Sequence, residues 1–317
     1  MPINIYLRLT EKCNLSCEHC FNKDSHTDNI KYDQLKIFLK GSHGNNIIFH
    51  GGEPFLVDTS VLHDIIDSNK DNSFSLTSNF TIPLNEEHLE IIKKLSYINI
   101  SFDPYIRFSS ISNIVNYVHN LKRILPIAQN IYINICLTKY VLKIKPRRII
   151  KFLRKLGIKL CRLEYLVVNP YNKHLIADYS DIDVWLCELY DENFLQNNCI
   201  EFTVFNEIFQ AIKNSKNLST HNELCCNSTM TINSDGSISN CPADNSNIIG
   251  SIHKKSFYEM ETIIKNQKHH AKNECLCCRW YNKCIGMCKV HKRQKNNKCC
   301  FPFHLAEKIS ENVCFLT

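Results

Sequence analysis

No apolar run in this chain reaches the roughly 20 residues needed to span a bilayer, so the sequence offers no membrane span. The amino-terminal stretch Met1-Pro2-Ile3-Asn4-Ile5-Tyr6-Leu7-Arg8-Leu9 lacks the basic lead-in and long apolar core of a signal peptide. There is no block of like charge. The net charge of +7 is modest for 317 residues, and the basic side chains are scattered among Asn and Ile. A nucleic-acid groove is therefore not indicated, and the surplus lysine reads as solvated surface. An internal repeat and a low-complexity tract are also missing. These absences predict a cytoplasmic protein with neither membrane nor nucleic acid as partner.

Cysteine, by contrast, is abundant, with 18 in 317 residues. Stable disulfides do not normally persist in the cytosol. Metal or cluster ligation is the usual alternative, and spacing decides the matter.

Residues 1 to about 170 read as strands alternating with helices. The predicted strands are 3–9, 46–50, 73–78, 97–102, 131–138 and 162–168; the helices are 32–40, 59–68, 86–95, 111–125 and 147–156. Repeated strand–helix units imply a parallel sheet with helices outside. Ile3, Ile5, Leu7 and Leu9 share one face of the first strand, and Asn4, Tyr6, Arg8 and Thr10 the other. The fifth strand alternates likewise, with Asn134, Cys136 and Thr138 on its polar face. Helices outside and a polar chamber inside give this pattern. The expected fold is α/β: a partial (β/α)6 TIM-like barrel with a small cysteine-rich α+β domain at the carboxyl end. The expected division is 1–180 for the barrel, 181–222 for a polar helical connector and 223–317 for the small domain.

Directly after the first strand comes Cys13-x3-Cys17-x2-Cys20. Three thiolates on one tight loop can bind three corners of a 4Fe–4S cluster and leave the fourth iron open. Zinc is the other metal that soft thiolates select; Glu18, His19 or His26 would then complete the ligand set. In α/β barrels the reactive site lies at the carboxyl ends of the strands, which is where this loop sits. The second strand ends in His50-Gly51-Gly52-Glu53-Pro54. Paired glycines allow close backbone approach to a ligand, and Glu53 can accept hydrogen bonds from an ammonium group.

Together the cysteine loop and the Gly-Gly-Glu-Pro segment about thirty residues later resemble the radical S-adenosylmethionine (SAM) superfamily, over nearly the whole chain. The resemblance implies that Cys13, Cys17 and Cys20 hold the catalytic cluster and that SAM chelates its fourth iron. It implies that Gly51, Gly52 and Glu53 receive the methionyl amine. Ser78-Asn79 and Ser101-Phe102-Asp103 resemble the polar ends of strands three and four that approach the cofactor. His19, before the third cysteine, resembles an aromatic slot near the adenine. Phe80 and Pro104 stand where the family often has Gly. The implied chemistry is reductive cleavage of SAM to a 5′-deoxyadenosyl radical, which abstracts hydrogen from an unactivated C–H. The alternative reading of Ser78, Asn79, Ser101 and Asp103 is turn chemistry and helix capping.

The second array runs Cys225-Cys226, Cys241, Cys275-Leu276-Cys277-Cys278, Cys284, Cys288 and Cys299-Cys300. Residues 229–233 and 237–240, joined by Ser234-Asp235-Gly236, read as a β-hairpin that brings Cys241 beside Cys226. The array resembles the SPASM domain, which implies two auxiliary 4Fe–4S clusters. By resemblance Cys226, Cys241 and Cys288 serve one; Cys275, Cys278, Cys284 and either Cys299 or Cys300 serve the other. The choice within each doublet stays open, as does an eighth ligand, for which Cys225 and Cys199 are the candidates. Two zinc sites are the rival reading, but zinc modules usually pair two C-x2-C knuckles. Most remaining cysteines read as small buried hydrophobes. Cys136, on a polar strand face, could instead donate a hydrogen atom to a substrate radical.

Relatives of this kind mature ribosomally synthesised peptides or sulfatases. The expected function is a maturase that modifies a ribosomally synthesised peptide or a protein, by oxidative crosslinking or related C–H chemistry. The expected electron donor is a flavodoxin or ferredoxin. The strand-one motif begins at residue 3, so leader recognition is expected from a separate leader-binding protein or the barrel mouth. Alternatives are a sulfatase-type formylglycine maturase, a small-molecule radical SAM dehydrogenase, and a non-catalytic cluster-bearing sensor. Pro242 follows Cys241 where sulfatase maturases resemble one another in an Asp, which counts against the first.

Overall fold

The computed structural model describes residues 2–22, 29–103, 106–108, 110–197, 199–214, 223–244, 246–267, 277–284, 288, 290, 299 and 301–314. Strands and helices alternate from β1 (Asn4–Arg8) through α1 (Tyr32–Leu39), β2 (Asn46–His50), α2 (Thr59–Ser68), β3 (Ser73–Ser78), α3 (Glu86–Lys94), β4 (Tyr97–Ser101), α4 (Ile111–Ile124), β5 (Ile131–Leu137) and α5 (Pro146–Lys155) to β6 (Leu160–Tyr165). All six expected strands and five expected helices are present, with ends shifted by at most three residues. Pro146 occupies the first turn of α5, one residue earlier than expected, because its missing N–H has no intrahelical partner to lose there.

The chain forms two compact units. The first comprises Met1–Ser101, Ile106–Ile131 and Cys226–Lys268. Its strands lie in the order β10-β9-β8-β1-β2-β3-β4, where β8 is Thr229–Ile232, β9 Ser237–Ser239 and β10 Ile248–Ser251. The predicted hairpin is β8–β9, paired antiparallel with Thr231 opposite Ser239. It does not stand alone. β8 pairs parallel with β1, from Asn4 opposite Thr229 to Leu7 opposite Ile232, and Ser228 O accepts from Asn4 N–H (2.7 Å). Without β8, one side of β1 would present a row of unmet backbone groups.

One sheet face in this unit is apolar: Ile5, Leu7, Ile47, Phe49, Leu76, Ile98 and Ile100 are fully buried. Leu35 and Leu39 of α1, Leu62 of α2, Ile92 of α3 and Ile124 of α4 are as deeply buried. Each such side chain stabilises the fold by about 1.5–3 kcal/mol. Helix starts are fixed locally. Asn85 and His88 form a capping box on α3, and Ser256 and Glu259 form one on α8 (Phe257–Lys265). The polar face of β1 is half-buried at Asn4 and Tyr6 and closes at its carboxyl end, with Arg8 at 0% and Thr10 just beyond at 2% exposure.

The second unit comprises Phe102–Tyr105, Tyr132–Cys225 and His269–Thr317. Here β5, β6 and β7 (Glu201–Phe202) run parallel in that order. The stretch read as a polar connector carries α6 (Tyr179–Leu195) and α7 (Thr203–Lys213). Ile182, Trp185, Leu186 and Leu189 of α6 are buried. The Asp183 carboxylate accepts from His304 N–H (2.9 Å) and Leu305 N–H (3.1 Å), which caps the helix Phe303–Cys314. Residues 226–268 lie with the first strands and 181–222 with the later ones. Among the described residues no helix is long and apolar enough to cross a membrane.

Candidate functional site

The site is assembled in the first unit from the carboxyl ends of β1, β2 and β3. Past Arg8, residues Leu9 to Lys12 carry the chain to Cys13 while Gly51, Gly52 and Glu53 run alongside. Gly52 N–H donates to Thr10 O (2.9 Å) and Glu53 N–H to Lys12 O (2.8 Å), so pairing continues beyond the strands. A Cβ on Gly52 would lie 2.0 Å from Lys12 O. Gly51 has a φ of +120°, and a Cβ there would meet Thr10 O at 2.6 Å. Both positions therefore exclude any other residue. In this structure the glycines' close approach is to the backbone leading into the cysteine loop.

Glu53 fastens the loop from a second side. Its carboxylate is 1% exposed. Oε1 accepts from Ser78 Oγ–H (2.7 Å) and Phe55 N–H (3.3 Å), and Oε2 from Asn79 N–H (2.8 Å). Burial pushes its pKa above the usual carboxylate value, against those three donors and the Arg107 guanidinium. A carboxylate offers about four acceptor sites, so little capacity is left for a ligand ammonium.

Asn79 is the third fastening. Its Oδ1 accepts from Thr81 N–H (2.8 Å) and Thr81 Oγ–H (2.6 Å); its Nδ2 donates to Asn14 Oδ1 (2.9 Å) and reaches Cys13 Sγ at 3.7 Å. Asn14 in turn donates to Thr81 Oγ1 (2.8 Å). Phe80, between these groups, adopts a φ of +53°. This left-handed backbone, costing a non-glycine residue about 1–2 kcal/mol, accounts for the glycine common at this place in the resembling family. Here Phe80 is buried edge-on to Phe55 (5.8 Å), and its carbonyl accepts from the buried Asn120 of α4 (2.9 Å).

Each loop sulfur has an N–H directed at it. Leu15 N–H reaches Cys13 Sγ (3.4 Å), Asn22 N–H reaches Cys20 Sγ (3.4 Å) and Arg107 Nη1 reaches Cys17 Sγ (3.8 Å). Such donors favour the thiolate, the form that binds metal. Burial pushes the Cys13 thiol up, opposed by the Leu15 N–H and by Arg107. The sequence reading did not single out Arg107. Its Nη2 also lies 3.0 Å from His19 Nε2, so one side chain engages both the second cysteine and the residue before the third. Its only sequence signal is its place in the compact segment 104–107 after β4.

Ser101 ends β4 and is half-buried. Asp103, in the second unit, accepts from Cys136 N–H (2.7 Å) and is 1% exposed. Phe102 N–H donates to Asn134 O (2.8 Å), and its ring stacks on Phe152 at 4.5 Å. Asp103 is thus a brace on β5, as turn chemistry suggests.

In the second array, Cys226 precedes β8 and Cys241 follows β9, which places both at the open end of the hairpin in the first unit. In the second unit a helical turn, Tyr281–Cys284, separates Cys278 from Cys284. Tyr281 N–H donates to Cys278 O (2.9 Å) and Cys284 N–H to Trp280 O (2.8 Å). Cys288 is half-buried and Cys299 exposed. Cys275, Cys300 and His26 lie outside the described residues. Among the described residues no three His, Cys, Asp or Glu groups are gathered about a single metal ion. The donor chemistry of the first loop suits an iron–sulfur cluster: three soft sulfurs on one short segment, each facing an N–H.

The fold over almost the entire chain is shared with solved structures, some of them holding AdoMet. Native anSMEcpe with bound AdoMet superposes with a TM-score of 0.81 at 17% identity, covering 99% of this chain and 97% of that one. Native anSMEcpe with bound AdoMet and Cp18Cys peptide gives 0.77 at 17%, with the same coverage. Streptococcus suis SuiB bound to precursor peptide SuiA gives 0.65 at 17%, covering 93% of this chain and 73% of that one. The likeness includes the cysteine-rich carboxyl region and establishes the α/β partial-barrel fold class. No curated protein matches the chain by sequence. The three-thiolate loop, the strand ends that brace it and the shared fold converge with a match of residues 7–178 to the family described as the Radical SAM superfamily, and this chain belongs to that superfamily.

Proposed function

We propose that this chain is a SPASM-type radical SAM maturase acting on a peptide or protein, the substrate class being a ribosomally synthesised peptide modified by oxidative crosslinking or related C–H chemistry. The observation that carries this reading is the Cys13–Cys17–Cys20 loop, clamped by Gly52, Glu53 and Asn79 within one unit. The fold likeness to structures holding AdoMet and peptides, anSMEcpe and SuiB, supports the substrate class.

In this reading Cys13, Cys17 and Cys20 hold a 4Fe–4S cluster, and Gly51, Gly52, Glu53, Ser78, Asn79, Ser101, Asp103 and His19 shape the SAM pocket. The bound cluster and SAM supply a 5′-deoxyadenosyl radical for hydrogen abstraction. The chain's own part is positional. The glycines exclude side chains beside the loop, Glu53 locks the ends of β2 and β3 together, and Asn79 with Arg107 orients the sulfurs. Cys226, Cys241 and Cys288 with Cys275, Cys278, Cys284 and Cys299 or Cys300 serve two auxiliary clusters. The functional division 1–180, 181–222 and 223–317 is retained as a proposal, as are a cytoplasmic location, a flavodoxin or ferredoxin donor and leader recognition by a separate protein or the barrel mouth.

Anaerobic incubation with SAM and dithionite is expected to release 5′-deoxyadenosine. Replacing Cys13, Cys17 and Cys20 together by Ala is expected to abolish that release and lower iron by one cluster of three. A reconstituted wild-type protein that leaves SAM intact would instead favour the sensor reading.

A further inference from the structure

Among the described residues Arg8 is the largest fully buried side chain with a charge, at 0% exposure at the carboxyl end of β1. A guanidinium is not taken out of water without partners, and those found here link two distant parts of the sequence. Nη1 donates to Asn22 Oδ1 (3.0 Å), two residues beyond Cys20, and lies 3.5 Å from Glu11 Oε1, two residues before Cys13. Nη2 donates to Pro242 O, directly after Cys241. Asn22 also donates to Glu11, closing a ring of contacts. All these residues belong to the first unit. Phe21 lies beneath the guanidinium at 5.6 Å and stacks on His50 at 6.2 Å. Burial, and next the Arg8 charge, hold His50 down to a pKa of about 3, so it stays neutral and adds no second charge. The guanidinium therefore bonds to the residue two past Cys20 on one side and to the residue directly after Cys241 on the other. At low dielectric a fixed charge acts strongly on its neighbours, and a cluster's potential responds to the charge and hydrogen bonding around its sulfurs.

We propose that Arg8 is a positioning residue shared by the two thiolate sets: one buried guanidinium, tied to the Cys13–Cys20 loop and to the Cys241 turn, that sets the reduction potential at both. Reduction adds negative charge, so a cation between the sets favours the reduced form of each. This rests on the cluster ligation proposed above.

The test is an EPR-monitored potentiometric titration of the anaerobically reconstituted full chain, with signals assigned using the Cys13/Cys17/Cys20→Ala variant and iron and sulfide counted first. In Arg8→Gln both midpoint potentials are expected to shift negative, because the charge is lost and Glu11 is left uncompensated. In Arg8→Lys, which keeps the charge, both are expected to stay near wild type. Unchanged potentials in Arg8→Gln at full cluster content, a shift confined to one cluster, or an equal shift in Arg8→Lys would each overturn the proposal. If Gln at this buried position prevents folding, Glu11→Gln decides: removing the opposing carboxylate is expected to move both potentials positive, and no movement refutes the link. Absence of clusters in the wild-type protein would overturn the ligation itself, which the iron and sulfide counts reveal before any potential is read.

Discussion

The two cysteine-bearing regions of the first unit are held in different ways. The Cys13–Cys20 loop is held largely by side chains. Glu53, Ser78, Asn79, Asn14, Thr81 and Arg107 form a network that reaches the sulfurs themselves. Cys226 and Cys241 are held mainly by backbone, through β8 paired to both β1 and β9, with side-chain ties from Arg8 and Ser239 to the Cys241 turn. A side-chain network depends on each member, because one deletion leaves buried partners unmet. A strand ladder is almost indifferent to its outward side chains and depends on the turn that sets its register. Single substitutions should therefore damage the first region readily and the second mainly at its turn.

The largest expected effect is at Glu53. Glu53→Ala leaves three donors facing a void, at about 1–3 kcal/mol for each buried group orphaned. Thermal unfolding should show a lower Tm, and iron analysis should show loss of the loop cluster with the auxiliary iron retained. Equal loss at both regions would break the distinction.

Phe80→Gly weighs two opposing effects. Relief of the left-handed backbone at φ +53° returns about 1–2 kcal/mol. Removing a buried Phe costs about 3–5 kcal/mol. Net destabilisation is expected in denaturant titration, and a stabilised variant would show that the strain outweighs the packing.

Gly236→Ala tests the hairpin. Gly236 has a φ of +81°, and its Cβ would lie 2.5 Å from His253 Nε2. A loss of about 1 kcal/mol or more is expected from the backbone conformation alone. Ile248→Thr, at an exposed position of β10, should stay within about 0.5 kcal/mol. A reversed order in chemical denaturation would refute the idea that the ladder carries this region.

His50 gives the subtlest signal. Its folded pKa, about 3, lies below the ordinary imidazole value of 6.5. Its contribution to stability is therefore complete above pH 6.5 and lost as pH falls toward 3, with a limiting slope of ~1.4 kcal/mol per pH unit. Replacing His50 by the non-titrating Gln should flatten the stability–pH curve of the cluster-free protein in that window. Superimposable wild-type and variant curves would mean that the ring is solvated.

Much of this was legible in the chain itself. Alternation in 3–9 and 131–138 and the helical runs between them fixed the order of strands and helices, because burial on one face imposes its period on sequence. The cysteine spacings and the Gly-Gly-Glu-Pro segment marked the loop and the strand end beside it. Less visible was what each polar residue does once there. Glu53 proved to be a clamp for Ser78 and Asn79, and Asp103 a brace for Cys136. Arg107 has no motif, because its role depends on where one short segment places it.

The sequence by itself therefore determined the element order, the superfamily and the place of the cysteine loop beside the Gly-Gly-Glu-Pro segment, since these follow from local periodicity and spacing. Only the tertiary structure decided that the hairpin joins β1, that residues 226–268 fold with the first strands, and that Arg8 bridges Asn22 and Pro242. Those facts depend on which distant backbone satisfies the hydrogen bonds of an exposed strand edge, and on which distant groups meet a buried charge. Neither demand leaves a period or a spacing in the chain.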